Sequence, residues 1–220
     1  MTDMEIKNAR FNMVEQQIRP WEVFDKRVLE LLGDAPRHEY VPVAYRNLAF
    51  ADMRIPLGTE REMISPKVEA RLLQALEIQS TDKVLEVGTG CGYLTSLLAQ
   101  LGGHVHSVET DTDLSKVASD NLAAHGVNNV ALETGNAAAG WDAHQPYDVV
   151  VVNGALPSLP QPLCENLSIG GRLFAIVGKA PVMEALLIQR VGESNWSDVA
   201  LFETDLRPLP GTEEPDRFVF

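Results

Sequence analysis

Residues 84–93 decide the fold of this chain, and they read Val84-Leu85-Glu86-Val87-Gly88-Thr89-Gly90-Cys91-Gly92-Tyr93. A short apolar run ends in an acidic residue, and glycines at alternate positions follow it. The next apolar positions, from Leu94 to Leu101, have helical spacing, so the sequence predicts a strand, a tight turn and a helix. Glycine suits such a turn because it tolerates positive φ and, lacking a Cβ, lets the backbone approach a ligand closely. The NH groups that begin the helix would face that ligand.

The spacing of the glycines indicates which ligand the turn holds. A dinucleotide-binding turn has the pattern G-x-G-x-x-G, but here Tyr93 stands where the last glycine would be. The pattern E-x-G-x-G-x-G, with Glu86 two residues before Gly88, resembles the first motif of S-adenosylmethionine-dependent methyltransferases with a Rossmann-like fold. This resemblance implies that the turn holds the amino-acid end of the cofactor. It makes a nucleotide dehydrogenase the least favoured interpretation.

A second acidic residue supports a nucleoside ligand. The segment from His104 to Glu109 has the pattern of the next strand, and Glu109 ends it about 20 residues after the first glycine of the turn. A carboxylate in that place can accept hydrogen bonds from both ribose hydroxyls. The alternative is a structural glycine turn with Glu109 on a solvated strand end.

The composition suits a globular enzyme with a sizeable core. The chain has 220 residues, of which 45% are hydrophobic and 22% charged, and a formal net charge of −13. This charge disfavours non-specific binding to nucleic acid and to anionic membranes. The two cysteines, Cys91 and Cys164, imply no disulfide framework. Because no signal peptide or membrane-spanning run is visible, we expect a cytoplasmic location. The acidic charge balance suits an enzyme that acts on a small molecule or a polypeptide, and we expect a monomer or homodimer.

Hydrophobic periodicity predicts an α/β fold. We expect a doubly wound, Rossmann-like sheet that is mostly parallel and closes with a C-terminal antiparallel hairpin, together with an N-terminal helical cap. The predicted strands are 83–87, 105–109, 129–133, 147–152 and 171–177, and the predicted hairpin strands are 185–191 and 199–206. Residues 1–80 would form the cap and the substrate loop, and residues 81–220 the cofactor-binding domain, with both packed as one compact unit. The ligand should lie in the crevice between strands 83–87 and 147–152.

Capping residues, prolines and glycines in the sequence predict where the helices and loops begin and end. Pro20 should end a first helix within residues 4–33, and Asp25 should cap a second that ends at Gly33. Residues 37–42 are predicted to be a loop. Further helices are expected at 43–48, at 67–78 and at 113–124, the last of them capped near Thr112.

Several segments together resemble the protein-L-isoaspartate O-methyltransferase family, which methylates the free carboxylate of isoaspartyl residues in damaged proteins. The matching segments are Arg37-x-x-Tyr40-Val41-Pro42, Ala51-Asp52, Pro56-Leu57-Gly58, residues 84–93, Ser107-Val108-Glu109, Gly140-Trp141, Pro146-Tyr147-Asp148, Gly170-Gly171-Arg172-Leu173 and Val177-Gly178. The resemblance implies S-adenosylmethionine as methyl donor, S-adenosylhomocysteine as product, and a damaged polypeptide as partner. The cofactor-binding residues that we predict are Glu86, Gly88, Thr89, Gly90, Gly92, Tyr93, Glu109, Thr110, Asn136, Ala137 and Asn153.

One loop departs from the family pattern. The family has G-x-G-Q-T-I-S-x-P, with the Ser regarded as the active-site residue, whereas residues 58–66 here read Gly58-Thr59-Glu60-Arg61-Glu62-Met63-Ile64-Ser65-Pro66. Ile64 takes the Ser position without a gap, and Ser65 takes it with a local shift. Ser65 is therefore either the catalytic, substrate-binding hydroxyl or the N-cap of the next helix. Arg61 is either a clamp for the substrate carboxylate or a solvated loop charge.

A second departure is Asn136, which follows Gly135 where the family usually has Asp beside the adenine. Its amide can still hydrogen-bond an adenine edge. Two histidines, His104 and His106, share one face of their predicted strand. Without a cysteine or carboxylate at ligand spacing nearby, we expect them to bind no metal.

Methyl transfer from a sulfonium to a carboxylate requires alignment and exclusion of water more than acid–base catalysis. The absence of an evident general base therefore does not count against a methyltransferase. Three functions stay open on the sequence. The first is isoaspartyl repair, the second is methylation of another carboxylate, and the third is cofactor binding without catalysis. The altered loop is what keeps the second and third open.

Overall fold

The structure is a computed structural model that describes residues 2–58 and 61–212. The described residues form α1 (Asp3–Asn12), α2 (Lys26–Asp34), α3 (Arg37–Tyr40), α4 (Pro66–Leu76), α5 (Tyr93–Leu101), α6 (Thr112–Ala124) and α7 (Gln161–Glu165). The strands are β1 (Ile55–Gly58), β2 (Arg61–Met63), β3 (Lys83–Val87), β4 (His104–Glu109), β5 (Val130–Thr134), β6 (Tyr147–Leu156), β7 (Leu167–Lys179), β8 (Val182–Gly192) and β9 (Asn195–Thr204). Thr59 and Glu60, in the divergent loop, lie outside the described residues.

A seven-stranded sheet with the order β5-β4-β3-β6-β7-β8-β9 forms the centre of the fold. The first five strands in that order are parallel, and β8 and β9 add an antiparallel hairpin. The chain winds outward from β3 to β5 and returns to β6, so the winding reverses between β3 and β6. The predicted fold class is confirmed, and the crevice lies between the two strands that the sequence indicated.

The sheet is buried on both faces because its central strands are apolar at almost every position. Val149 and Val151 of β6 enter one apolar cluster, and Val150 and Val152 enter the other. Successive side chains of a strand point to opposite faces, so a run of four valines supplies both layers. The first cluster also contains Met13 and other side chains of the N-terminal helices.

The N-terminal residues form the helical cap that the sequence predicts. Helix α1 continues into a π-helical segment, Met13–Ile18, and a 3-10 turn, Arg19–Trp21. The side chain of Asp25 caps α2 by accepting a hydrogen bond from the backbone NH of Arg27 at 2.8 Å. A 3-10 helix spans Val43–Leu48, where a short helix is predicted.

Two local predictions are wrong, at α3 and at the end of α4. Residues 37–40 form the short helix α3 rather than a loop, and Arg37 within it is fully buried. The cap of α6 agrees with the prediction of a cap near Thr112: it is the adjacent Asp111, whose carboxylate accepts from two backbone NH groups. Helix α4 ends at Leu76, before the predicted Ile78, because Glu77 adopts a left-handed conformation with φ of 46°. No helix among the described residues is long and apolar enough to cross a membrane.

Candidate active site

The turn between β3 and α5 brings the backbone close to a cavity. Gly88 and Gly90 have positive φ values of 94° and 56°. A Cβ on Gly88 would lie 3.2 Å from the carbonyl oxygen of Asn153, and one on Gly90 would lie 3.2 Å from the Leu57 side chain. Gly92 serves another purpose, because its Cβ would meet the backbone of Ala118 in α6. Two of the three glycines therefore face the cavity, and the third lets two helices pack closely.

The cavity has a volume of about 470 Å³ and lies at the carboxyl ends of β3, β4, β5 and β6. The predicted site residues that line it are Arg61, Gly88, Gly90, Glu109, Thr110, Asn136, Ala137 and Asn153. The lining that sequence reasoning missed includes Leu57, Glu62, Leu209 and Pro210.

The side chain of Glu109 lines this cavity and is held in place by backbone NH groups. One carboxylate oxygen accepts from the backbone NH of Gly90 at 3.0 Å, and the other accepts from the NH groups of Thr110 and Asp111 at 2.9 and 3.1 Å. The Nη2 atom of Arg61 lies 3.6 Å from the second oxygen and donates to the Thr110 hydroxyl at 2.7 Å. Arg61 is thus paired with the predicted ribose carboxylate rather than with solvent.

Two asparagines offer polar groups to a ligand. The amide nitrogen of Asn153 donates to the carbonyl oxygen of Gly88 at 2.9 Å, while its Oδ1 atom is buried without a hydrogen-bond partner. Such an oxygen is costly unless a donor reaches it, and Asn153 is one of the residues that line the cavity. Asn136 accepts from the NH of Ala138 through Oδ1 at 3.0 Å. Its NH₂ group is therefore the part of the side chain that can donate to an adenine edge.

Glu86 lies beneath the turn and does not line the cavity. Its Oε2 atom accepts from the hydroxyls of Thr95 at 2.5 Å and Ser107 at 2.7 Å, and its Oε1 atom has no hydrogen-bond partner. Burial raises the pKa of Glu86 to about 8 despite these two hydroxyl donors. Thr89 also turns inward, with its hydroxyl 2.6 Å from that of Ser107. Both side chains support the turn from behind.

Tyr93, the last residue of the motif, packs inward as well. It is fully buried, with its ring 5.3 Å from that of Tyr40 and the Arg37 guanidinium 4.9 Å above it. It lines a small cavity of about 240 Å³ that also reaches Gly90, Thr89 and Asn153. Its ring therefore lies behind the glycine turn and is not part of the main cavity wall.

Ser65 occupies the N-cap position of α4 without capping it. Its backbone is extended, with φ of −71° and ψ of 152°, but its side chain makes no capping hydrogen bond. It lines a separate cavity of about 550 Å³, together with the charged residues Asp52, Arg54, Lys67 and Asp205. The capping alternative for this hydroxyl is therefore not observed.

A third cavity, of about 290 Å³, has lining residues in common with both of these regions, and we call it the connecting cavity. It shares Arg61, Glu62 and Asn153 with the main cavity, and it shares Ile64 and Leu206 with the Ser65 cavity. The shared residues make the three cavities neighbours in a row from the glycine turn to Ser65. Ile64 stands midway, where its carbonyl oxygen accepts from the Arg37 guanidinium at 2.7 Å.

The missed residues Leu209 and Pro210 come from the segment after β9. The NH of Ala155 donates to the carbonyl oxygen of Arg207 at 3.0 Å, and the NH of Leu209 donates to that of Ala155 at 2.8 Å. These bonds lay Leu209 on the turn, 3.3 Å from where a Gly88 Cβ would be. A leucine between two prolines indicates an extended segment, but nothing in the sequence indicates where that segment returns.

The switch-point crevice, the glycine turn and the acid at the end of β4 define a Rossmann-like, S-adenosylmethionine-dependent methyltransferase. A model of the family "Protein-L-isoaspartate(D-aspartate) O-methyltransferase (PCMT)" matches residues 8–204. The chain therefore belongs to the protein-L-isoaspartate O-methyltransferase family, which uses S-adenosylmethionine. The predictions of family, enzyme class and cofactor are confirmed.

Individual relatives agree with this assignment. The chain is 40% identical over 187 residues to the protein-L-isoaspartate O-methyltransferase of Methanoculleus marisnigri, covering 84% of this chain and 85% of the relative. It is 36% identical over 202 residues to that of Rhodopseudomonas palustris, covering 91% and 93%.

Solved structures agree in fold. A solved protein-L-isoaspartate O-methyltransferase matches with a TM-score of 0.77 at 21% identity, over 94% of this chain and 66% of that one. A second, from Plasmodium falciparum and in complex with S-adenosyl-L-homocysteine, matches with a TM-score of 0.70 at 17% identity, over 92% and 97%.

Proposed function

We propose that this protein transfers the methyl group of S-adenosylmethionine to the free carboxylate of isoaspartyl residues in damaged polypeptides. The row of cavities is the observation that carries the proposal. We expect an extended peptide to follow this row from Ser65 to the glycine turn, past the side chains of Arg61 and Arg207. Family membership supports the same substrate. A cytoplasmic location fits a repair enzyme.

The residues present suit the cofactor in shape and chemistry. Gly88 and Gly90 line the main cavity with positive φ and no side chain, which suits close approach by the methionine end. The unpartnered Oδ1 atom of Asn153 can accept from the ammonium group of that end. Glu109 can accept from the ribose hydroxyls, and Asn136 with Ala137 can flank the adenine. When bound, S-adenosylmethionine supplies an electrophilic methyl group on a positive sulfur.

The protein contributes to the reaction by orienting the substrate carboxylate and by excluding water from it. A substrate carboxylate is already anionic, so no side chain has to remove a proton from it. Arg61 lines both the main cavity and the connecting cavity, and its guanidinium can hold one carboxylate oxygen while the other faces the methyl group. Leu57 and Leu209 present apolar surface beside the turn, which helps to exclude water. Alignment of the carboxylate oxygen, the methyl carbon and the sulfur contributes to the rate by holding the reacting atoms in a productive geometry.

The decisive experiment compares two peptides that differ only in isoaspartate against normal aspartate. Each is incubated with labelled S-adenosylmethionine, and cofactor binding is measured separately by calorimetry. We expect label on the isoaspartyl peptide alone. Label on neither peptide, with the cofactor bound, would overturn the isoaspartyl assignment.

A second candidate is methylation of a different carboxylate, and one observation favours it. Arg61 replaces the family's glutamine, and its guanidinium is engaged by Thr110 and Glu109 in this structure. A screen of small carboxylic acids and of C-terminal peptide carboxylates, scored for label transfer, would identify such an acceptor. Cofactor binding without transfer to any acceptor would instead indicate a non-catalytic binding protein.

A further inference from the structure

Three side chains that could ligate a metal converge at the β4–β5 edge of the sheet. They are His106 of β4, Glu133 of β5 and His144 of a 3-10 turn, Asp142–His144. The Nδ1 atom of His106 lies 3.4 Å from Oε1 of Glu133, and the Nε2 atom of His144 lies 3.2 Å from the same oxygen. All three ligand atoms lie within 4.8 Å of one another. The sequence did not indicate this group, because Glu133 and His144 are distant from His106 along the chain.

Two of these atoms are buried and unsatisfied. His106 is 8% exposed, and neither its Nδ1 atom nor the Oε1 atom of Glu133 has a hydrogen-bond partner. Leaving buried polar atoms unpaired costs roughly 1–3 kcal/mol each. A cation between them would satisfy both atoms at once. His144 is 43% exposed, so solvent and ions can reach the group from its side.

We infer that His106, Glu133 and His144 form a binding site for a divalent transition-metal ion, with Zn²⁺ as the best match. Two imidazoles and one carboxylate are a common zinc ligand set, with water in the fourth position. Tetrahedral bonds of about 2.0–2.1 Å place ligand atoms roughly 3.3–3.4 Å apart, close to the two distances to Glu133. Imidazole ligands disfavour Mg²⁺ and Ca²⁺, which select oxygen.

The rings must turn slightly for all three ligands to close on one ion. The imidazoles of His106 and His144 are stacked, with centroids 4.1 Å apart and planes at 17°. The side chain of His144 is 43% exposed, at the end of the 3-10 turn, so solvent rather than protein lies on one side of its ring. Lys83 steadies that turn by donating to the carbonyl oxygen of His144 at 2.7 Å.

An ion bound at this edge of the sheet would also stabilise one side of the main cavity. The segment that leads from β5 to the 3-10 turn carries Asn136 and Ala137 of the main cavity. A metal bound to Glu133 and His144 would tie both ends of that segment to β4 through His106. Zinc should therefore stabilise the fold around the adenine side of the cavity and raise the unfolding temperature.

The test is calorimetric titration of chelator-treated full-length protein with ZnCl₂, with no cofactor present. We expect one ion per chain and a rise in the thermal unfolding midpoint. CoCl₂ should give visible absorption bands of tetrahedral cobalt. The variants H144A and E133Q each remove one ligand near the surface, and each should weaken zinc binding by more than about tenfold, the smallest loss seen when only an outer-shell partner is removed.

The matched control is H125A. His125 also pairs with a carboxylate, since its Nε2 atom lies 3.0 Å from Oε2 of Glu39, but it stands apart from the metal-ligand group. It should leave zinc binding unchanged. The inference is overturned if no zinc binds, or if H144A and E133Q bind zinc as tightly as the parent. An equal loss in H125A would likewise show only adventitious surface binding.

Discussion

Glu86 is a carboxyl group enclosed in the protein interior directly beneath the cofactor turn. Two hydroxyls, those of Thr95 and Ser107, donate to one of its oxygens. They do not offset the loss of water, and burial raises its pKa to about 8. The folded protein therefore holds this proton more tightly than the unfolded chain does.

This environment predicts how the free energy of unfolding changes with pH. The folded pKa lies above the unfolded value of 4.5, so the stability that Glu86 contributes is complete below pH 4.5 and is lost as pH rises through about 8. The loss should approach about 1.4 kcal/mol per pH unit within that window. Urea unfolding of the parent and of E86Q, from pH 4 to 9, should show curves that diverge as pH rises.

The control is E30Q, which neutralises an exposed glutamate on α2. Its stability should follow that of the parent across the same range. A constant difference between E86Q and the parent from pH 4 to 9 would contradict a raised pKa for Glu86.

Glu109 gives a second prediction. Its carboxylate accepts from the Gly90 NH of the turn, and we expect it also to bind the ribose, so the experiment must distinguish these two roles. E109A should weaken S-adenosylhomocysteine binding by roughly 10- to 100-fold, since a hydrogen bond to a charged group contributes about 1.5–3 kcal/mol. The parent should also discriminate against the 2′-deoxy analogue of that ligand. In E109A this discrimination should vanish, as measured by calorimetry for all four combinations.

If Glu109 only supports the turn through Gly90, the discrimination against the deoxy analogue would survive the substitution. That outcome would remove Glu109 from the ribose site while leaving its structural hydrogen bond intact. The ligand pair thus distinguishes direct contact from an indirect effect.

The motif predicted some residues of the cavity better than others, for a physical reason. The turn itself places the backbone at Gly88 and Gly90. Glu109 ends β4, the strand paired with β3, so its location follows from the pairing of those two strands. Glu86 belongs to a strand, where alternate side chains face opposite ways. The motif cannot tell that this one points toward α5, nor that Gly92 faces α6.

At the scale of elements, Arg37 of α3 anchors the backbone at Ile64, the residue before Ser65. Its guanidinium donates to the carbonyl oxygens of Ala49 at 2.8 Å and Ile64 at 2.7 Å, and it forms a buried ion pair with Glu69 of α4. The two charged side chains are 0% and 1% exposed. One side chain thus joins α3, α4 and the strand end next to Ser65.

Removing one partner of this ion pair should lower the free energy of unfolding more than replacing both partners with apolar residues. R37A leaves Glu69 buried without a partner and should lower the free energy of unfolding by about 3–5 kcal/mol. R37M/E69L removes both charges while retaining bulk, and it should be clearly more stable than R37A. Urea unfolding at pH 7 measures both. Equal losses in the two variants would mean that the carbonyl contacts, not the charges, carry the effect.

The predictability of the elements follows their length and pattern. The valines of β6 and the glycine-bounded β3 have strong patterns, and both strands begin where the sequence predicts. Helix α3 has only four residues, too few for a period, and it forms because Arg37 and Tyr40 are both buried. Its formation depends on partners elsewhere in the chain, which no local pattern contains.

At the scale of the whole molecule, the cap and the sheet share one core. Met13 and Ile18 of the cap enter the same apolar cluster as Phe174 of β7 and Ala185 of β8. Polar links cross the same boundary, since Arg172 of β7 donates to the carbonyl oxygen of Leu76 at 2.8 Å. Neither the predicted cap, 1–80, nor the predicted domain, 81–220, can bury its apolar surface alone.

The shared core predicts a single cooperative unfolding transition. Trp21 reports on the cap, where its ring meets that of Phe202 in β9 at 5.5 Å, and Trp141 and Trp196 report on the other part. In W21F, and in W141F/W196F, the fluorescence midpoint in urea should coincide with the midpoint from far-UV circular dichroism of the same variant. An earlier fluorescence transition in W141F/W196F alone would show that the cap unfolds first. Arg37 of the cap holds the backbone at Ile64, which lines the Ser65 cavity. Early unfolding of the cap would therefore also open the Ser65 cavity independently of the cofactor site.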